Sequence, residues 1–409
     1  MREEYDVIVV GAGPAGLMAA GAAAERGAKV LLLDKLACPG KKLYITGKGR
    51  CNVTNNTDVN TILENVPRNP RCLYSSLSAF PPQKVMAFFE EGGVPLKTER
   101  GRRVFPVSDR AADIASRLGS YAAKAERRIA EVRSLILQDG KAAGVVTDRG
   151  SFGSSKVIVA TGGLSYPLTG STGDGYRFAE DAGHTLISPA ASLVPLTSDD
   201  GLCRAAMGVS LKNVNVTFYE NGKRIAEEFG EMLFTHFGVS GPIILSGSAH
   251  FEKSDSEKYI VIDFKPALDE KKLDQRLLRE VEENINRDMG NIAKHLLPLS
   301  LTRPFLRRVM IDPARKANTL TKDERVRMAR ELKAMKLTIT GMRPVEEAIV
   351  TRGGVKTAEV NPKTMESKKI AGLYFAGEVL DVDAYTGGYN IQIALATGRA
   401  AGIAAAGRE

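Results

Sequence analysis

The sequence predicts an α/β fold: an open parallel sheet, interrupted in mid-chain by a β-rich insert and then a helical one. Three observations predict it. Residues 5–35, YDVIVVGAGPAGLMAAGAAAERGAKVLLLDK, read as strand, glycine turn, helix and strand. Two further apolar runs end in glycine, KVIVATGG at 156–163 and LYFAGE at 373–378, as buried parallel strands do when they feed a site at their carboxyl ends. Between these runs, from about residue 192 to 344, hairpin and then helical patterns replace that layout.

The opening unit is the strongest of the three. Tyr5 to Val10 is β-branched and short, and Gly11-Ala12-Gly13-Pro14-Ala15-Gly16 follows at once. Gly11 permits a tight turn, Gly13 leaves room for a pyrophosphate, and Gly16 lets helix and strand pack closely. Leu17 to Arg26 is Ala-rich and helical, with Gly27 as its stop. Its start offers unpaired N–H groups and the positive end of a dipole. Lys29 to Leu33 forms the second strand, and Asp34 at its tip is placed to accept ribose hydroxyls. Strand, turn, helix and acid agree on a Rossmann-like dinucleotide cradle.

Past Asp34, residues 39–52 (PGKKLYITGKGRCN) are glycine-rich, cationic and without hydrophobic period. Such a loop is either a solvated surface or, in this position, a lining for a diphosphate, with Lys41, Lys42 and Arg50 offsetting its charge. Helices are predicted over Pro82 to Glu91 and Asp109 to Lys124, the latter capped by Ser108 or Asp109. Ile129 to Leu137, Ala142 to Asp148 and Ser151 to Lys156 read as a meander with turns at Asp139-Gly140 and Arg149-Gly150. Val132, in its first strand, is placed to offer backbone to an adenine or simply to fill the core. Gly170 to Gly175 is a phosphate cradle or a plain start for a helix over Tyr176 to Ala182, and His184 reads as that helix's C-terminal cap. Further on, Leu211 to Phe218 enters a hairpin at Asn221-Gly222, and Met232 to Ser248 continues the β-rich stretch. Leu273, Leu277, Val281 and Ile285 recur at helical spacing, and Lys336 to Thr340 returns as a strand. The domains expected are therefore 1–191, a β-rich insert 192–265 completed by 336–344, a helical insert 266–335, and 345–409.

Composition narrows the function. At 409 residues, two or three domains fit. Lys and Arg number 57 against 48 Asp and Glu, a net charge of +9 that favours anionic ligands. The four cysteines form no closely spaced pair, which points to a reducing cytoplasm and away from a dithiol relay. A charged start entering a strand directly argues against a secretory signal, and no apolar run is long enough for a membrane span. No metal site is expected. Residues 303–336 hold eleven Lys or Arg against four Asp or Glu, read as a solvated face rather than a specific nucleic-acid site, since Phe305 is its only aromatic.

The closing stretch selects the cofactor. Gly377-Glu378 ends a buried strand, Gly387-Gly388 precedes an Ala-rich helix to Ala406, and that helix start aims a second dipole at the same site. At a flavin such a dipole stabilises the charge that builds on two-electron reduction. A nicotinamide-only enzyme has no need of it, so FAD is the reading.

Seven segments then resemble one family: GAGPAG (11–16), TGKGRCNVTN (46–55), ATGGLSYPLTGSTGDGY (160–176), LFTHFGVSGP (233–242), TRGGV (351–355), TMESK (364–368) and GEVLDVDAYTGGYNIQIA (377–394). They are similar to the bacterial flavoprotein family that contains the bile-acid-inducible flavin reductase and the aminoacetone oxidases. The resemblance implies a glutathione-reductase-like FAD domain with non-covalent FAD, a β-barrel-like insert carrying a helical one, and oxidoreductase chemistry. It implies FAD contacts at Ala15, Asp34, Lys42, Gly47, Asn52, Val132, Glu378, Asn390 and Ile391. Many relatives place Glu at the position of Asp34; the shorter acid still reaches a ribose. Lys35, Cys51, Thr161, Gly162 and Tyr389 complete the candidate cofactor set.

Catalytic residues are not identified. Tyr166 and Tyr385 are each either a proton donor or a packed tyrosine. Cys51 reads as a buried inert thiol, and His236 as substrate-facing or structural. The function expected first is NAD(P)H-dependent reduction of a conjugated C=C bond in a small hydrophobic, possibly acidic substrate. Oxidation of an amine or aminoketone is the second reading, and an RNA-interacting flavoprotein the third. With no second strand–GxGxxG–helix unit, NAD(P)H would act as a transient donor.

Overall fold

A computed structural model describes residues 3–251 and 255–407. It divides into two compact units, residues 1–192 with 345–409, and 193–344.

The first unit is built on five parallel strands in the order Leu373–Phe375, Val157–Val159, Val7–Val10, Val30–Asp34, Glu126–Ile129. The middle strands are apolar and buried, except for Asp34 at the end of Val30–Asp34, as a sheet covered on both faces requires. Helix Pro14–Glu25 lies on it, and the closing helix Tyr389–Ala406 packs on that helix almost backbone to backbone. A Cβ on Gly398 would stand 2.2 Å from the Ala15 carbonyl, and one on Gly402 2.2 Å from that of Ala19. Only glycine admits that approach.

The meander exists as Val132–Gln138, Lys141–Thr147 and Gly150–Gly153, joined by Glu3–Glu4 as a fourth, parallel strand. Its expected first strand is corrected. The chain breaks after Ile129: Glu126–Ile129 joins the parallel sheet, and Ala130 N–H donates to the Asp34 carbonyl at 2.9 Å. Charged Glu126, Arg127 and Arg128 hid that edge strand from any hydrophobic pattern. Helix Pro82–Glu91 starts on its proline, while the next runs over Ala111–Tyr121 with Arg110 at its N-cap. Neither Ser108 nor Asp109 caps it. Asp109 turns away, in left-handed backbone, to Lys97 at 2.7 Å and Arg50 at 3.2 Å. Helix Asp174–Asp181 ends in a Schellman motif: Gly183 N–H reaches the Glu180 carbonyl at 2.8 Å, and His184 N–H that of Ala179 at 2.9 Å. The His184 ring is buried between Ser367 and Glu359, and burial pulls its pKa down. Strand Leu186–Ser192 pairs antiparallel with Val350–Val355, where the chain leaves and re-enters this unit.

The second unit holds seven antiparallel strands in the order Met335–Ile339, Lys258–Asp263, Ser210–Glu220, Lys223–Thr235, Gly238–Ser240, Leu196–Thr197, Gly341–Met342. Its two edges are separated in the chain by Thr340 alone, so the sheet curls towards a barrel. Asn221 and Gly222, at φ +48° and +73°, make the hairpin turn. The β reading of Met232 to Ser248 is corrected at its end: Pro242–Ser248 is a helix, with Pro242 in its first turn. Helices Glu270–Glu283, Met289–Ala293, Leu299–Arg308 and Lys322–Lys333 follow. They share one core with the sheet, Leu273, Leu277 and Leu332 clustering with Ile260 and Leu337. The β-rich and helical inserts are thus one packed body. Among the described residues no helix is long and apolar enough to cross a membrane.

Candidate functional site

The contacts of the cradle and its walls all lie in the first unit. Gly11 has φ +101° and donates its N–H to the Leu33 carbonyl at 2.8 Å. A Cβ there would meet the Ala160 carbonyl oxygen at 2.6 Å, and one on Gly16 the Gly11 carbonyl oxygen at 1.8 Å. Gly13 is different: a Cβ on it would have nothing within 4 Å. Gly13 is also the N-cap of helix Pro14–Glu25, with no side-chain cap, so the N–H groups of the first turn, those of Ala15 and Gly16, border an open space. The Asp34 carboxylate is fixed beside it, accepting from Ala12 N–H at 2.6 Å and Leu36 N–H at 2.7 Å. Val132 starts the strand two residues beyond the Ala130–Asp34 bond and is buried. The cradle therefore has the shape, dipole and acid of a diphosphate–ribose site.

The second wall is the closing segment. Gly387 and Gly388 have φ +143° and +95°, and helix Tyr389–Ala406 again begins without a side-chain cap. Gly388 abuts protein: a Cβ there would lie 2.5 Å from the Thr54 carbonyl oxygen and 2.9 Å from Asn52 Oδ1. Gln392, fully buried, accepts from Thr54 Oγ1 at 2.6 Å and donates to the Phe80 carbonyl at 2.7 Å. Asn390 turns its side chain inward, accepting from Ala384 N–H at 2.9 Å and donating to the Ala384 carbonyl at 2.7 Å. What the helix start presents is thus the backbone N–H groups of Tyr389 to Ile391, not that amide.

The three cations expected to offset phosphate charge each have a protein partner. Lys41 donates to the Leu168 carbonyl at 2.8 Å. Lys42 binds Glu378 at 2.9 Å and also Ser165 Oγ. Arg50 forks onto Glu99 at 3.0 and 2.9 Å. Lys35 holds Asp174 at 2.6 Å and Thr172, so the Gly170–Gly175 stretch ties to the strand end. The helix there starts on Gly173, again without a side-chain cap. Glu378 is a hub: its Oε1 also accepts from Thr351 N–H at 2.9 Å and Ser165 Oγ at 3.1 Å. Cys51 is fully buried, and burial pushes its thiol up to about 12, an inert group.

Tyr166 stands in left-handed backbone, partly buried, with its phenol pKa raised by burial and then by Glu347. Tyr385 is half-buried, its N–H on the Asn65 carbonyl at 3.0 Å. Reading the sequence missed Ser165, Thr351, Gln392 and Tyr176, all inside the quoted motifs. Thr351 Oγ1 accepts from Leu164 N–H at 2.8 Å and Ser165 N–H at 3.1 Å, aligning the loop after the ATGG strand. Tyr176 OH and Thr161 Oγ1 are buried without a hydrogen-bond partner among the described residues. Thr161 lies two residues past strand Val157–Val159, and Gly162 beside it has φ +77°. Gly377, at φ +76°, packs its Cα face on Ala15, where a Cβ would stand 2.9 Å from the alanine methyl. His236 is exposed against Phe237, in the second unit. Among the described residues no His, Cys, Asp and Glu cluster could hold a metal.

The HI0933-like protein Rossmann domain model matches residues 5–404. The chain belongs to this family. Members of the HI0933-like family are FAD-dependent oxidoreductases, and the cradle described above fits that cofactor. This member is 31% identical over 408 residues, 98% of each chain, to the 3-dehydro-bile acid delta(4,6)-reductase of Clostridium scindens. It is 32% identical over 402 residues, 96% of each chain, to the ribosomal RNA dihydrouridine synthase of Haemophilus influenzae. Among solved structures it resembles the 3-ketosteroid delta1-dehydrogenase of Sterolibacterium denitrificans, with a TM-score of 0.53, 14% identity and full coverage of both chains. That last likeness concerns the fold alone.

Proposed function

We propose that this protein is an FAD-dependent reductase of a C=C bond conjugated to a carbonyl, with NAD(P)H as its transient electron donor. The observation that carries the reading is the pair of uncapped, glycine-started helices, one with open space at Gly13, the other ending the flavin wall at Tyr389 to Ile391. In this reading Ala15 and Gly16 N–H groups hold the diphosphate, and Asp34 takes the ribose hydroxyls. The N–H groups of Tyr389 to Ile391 offset charge at the pyrimidine edge, and Gly47, Asn52 and Glu378 border the rest. FAD, when bound, supplies the hydride transfer. A phenol, Tyr166 or Tyr385, delivers the accompanying proton.

Two relatives' names favour this bond type. A delta(4,6)-reductase acts on unsaturation, and a dihydrouridine synthase makes a base whose ring C=C, conjugated to a carbonyl, has been reduced. A small hydrophobic enone is the first substrate proposed. A uridine in RNA is the second, supported by the name of the Haemophilus influenzae relative. The basic run 303–336 does not favour RNA. Arg308 pairs with Asp200 and Glu331, Arg315 with Glu324, Lys316 with Asp288, Arg325 with Asp274 and Lys333 with Asp263.

Anaerobic stopped-flow tests the proposal. Oxidised enzyme is mixed with NADH or NADPH, and the reduced enzyme then meets an enone panel, uridine-containing RNA, or oxygen. Rapid reoxidation by an enone supports the first substrate, and by RNA the second. Reduced flavin that ignores both, reoxidises rapidly in oxygen and is formed from an aminoketone would leave the oxidase reading standing and this one abandoned.

A further inference from the structure

We propose that Arg50 is a positioning residue that latches the turn 47–51 in its cofactor-ready shape, with Glu99, Asp109 and Phe105 as the anchor. This rests on the reading above that the segment around Gly47 and Asn52 borders FAD.

The turn is held against its own backbone preference. Gly47, Lys48, Gly49 and Cys51 have φ of +57°, +60°, +86° and +61°. The glycines adopt this freely, but Lys48 and Cys51 carry a Cβ that disfavours it. Inside the turn, Arg50 N–H reaches the carbonyls of Gly47, at 3.3 Å, and of Thr46, and Cys51 N–H reaches that of Thr46 at 3.1 Å.

Further hold comes from outside, through Arg50, the residue that precedes Cys51 in the chain. The Arg50 guanidinium forks onto Glu99 at 3.0 and 2.9 Å, reaches Asp109 at 3.2 Å, and lies 3.9 Å from the centre of the Phe105 ring. The same ring backs Gly47, where a Cβ would stand 3.3 Å from it. Lys97 steadies both acids, at 3.8 and 2.7 Å, and Arg50 and Lys97 keep the two carboxyls below their ordinary range. The anchor is rigid, since Leu96–Thr98 and Arg103–Pro106 form a hairpin that continues to Thr54–Asn55. From that hairpin Val104 N–H donates to Asn52 Oδ1 at 3.2 Å. The latch thus passes from a protein carboxylate to the turn and on to Asn52, with the guanidinium spent on protein.

Glu99→Gln separates a latch from a phosphate-facing cation, because the two make opposite predictions. Were Arg50 a phosphate ligand, removing its competitor would leave FAD affinity unchanged or tighter. As a latch, Glu99→Gln should weaken FAD about 10-fold, the size of one charge-assisted fork. Flavin fluorescence on titration reads the affinity, and the visible flavin band reads its surroundings. Melting of the FAD-free protein should shift little. Arg50→Lys should not rescue Arg50→Ala, because an ammonium cannot make the fork. Lys48→Gly, which relaxes the turn, should recover a substantial part of the affinity lost in Glu99→Gln. Unchanged or tighter FAD binding in Glu99→Gln overturns the latch, and so does a loss that Lys48→Gly leaves untouched. If Glu99→Gln does not fold, Asp109→Asn carries the test, with a smaller loss expected and an unchanged or tighter affinity again overturning it. A wild-type protein that takes no FAD would instead overturn the reading of the site.

Discussion

The two helix starts that wall the site look alike in sequence and differ in what their glycines are for. At Gly13 the backbone is extended, at φ −75°, and the direction of a side chain is empty. At Gly388 the backbone is left-handed, and that direction is filled by the Thr54 carbonyl and Asn52. One glycine keeps space for a ligand, the other lets two pieces of protein touch. A glycine motif alone does not reveal which.

The sharpest way to break the comparison is Gly13→Val. The fold tolerates it, so the FAD-free melting temperature should stay within a few degrees, while FAD affinity falls by roughly 10²-fold or more through collision with the diphosphate. Parallel losses of stability and affinity would place protein, not ligand, against Gly13. Gly388→Ala should behave the other way. With φ +95° and a 2.5 Å clash, it should lose about 2–4 kcal/mol in denaturant unfolding even without FAD. A Gly388→Ala protein as stable as the wild type would erase the contrast.

Asn390 sharpens the comparison on the closing side. Its amide makes both bonds to Ala384, so Asn390→Ala should cost about 1–3 kcal/mol of stability, with flavin reduction slowed only as the loop loosens. A rate loss without a stability loss would return the amide to the flavin. The smallest expected effect concerns pH. Burial raises the pKa of Asp381, ahead of the lowering by Asn69 and the raising by Asp383. A folded pKa above the unfolded one means this residue's contribution is fully present below the unfolded value and is lost as pH rises through the folded one. Asp381→Asn should therefore make the protein slightly more stable at neutral pH, with the gain vanishing on acidification. Equal stability of the two proteins from pH 3 to 8 would contradict it.

Charge shows most plainly where sequence reading ends. The loop 41–50 and the run 303–336 both look like cationic surfaces, and in both the structure supplies acids from elsewhere. Arg50 finds Glu99, 49 positions on, and Arg308 finds Asp200, 108 positions back. A local count of charges has no access to partners that only the chain's path brings near.

The sequence by itself determined what depends on near neighbours. The turn at Gly11 follows from steric freedom, the buried strands from unbroken apolar runs, the hairpin at Asn221-Gly222 from left-handed backbone, and the site's end of the sheet from glycines closing its strands. Tertiary structure alone decided the edge strand Glu126–Ile129, which charged residues concealed, and the single core shared by the two inserts. It also decided that Asn390 braces a loop, that Thr351 and Ser165 converge on Glu378, and that Arg50 faces protein. Each of these is a pairing between distant positions, and its energy exists only once the fold has paid the entropy of bringing them together.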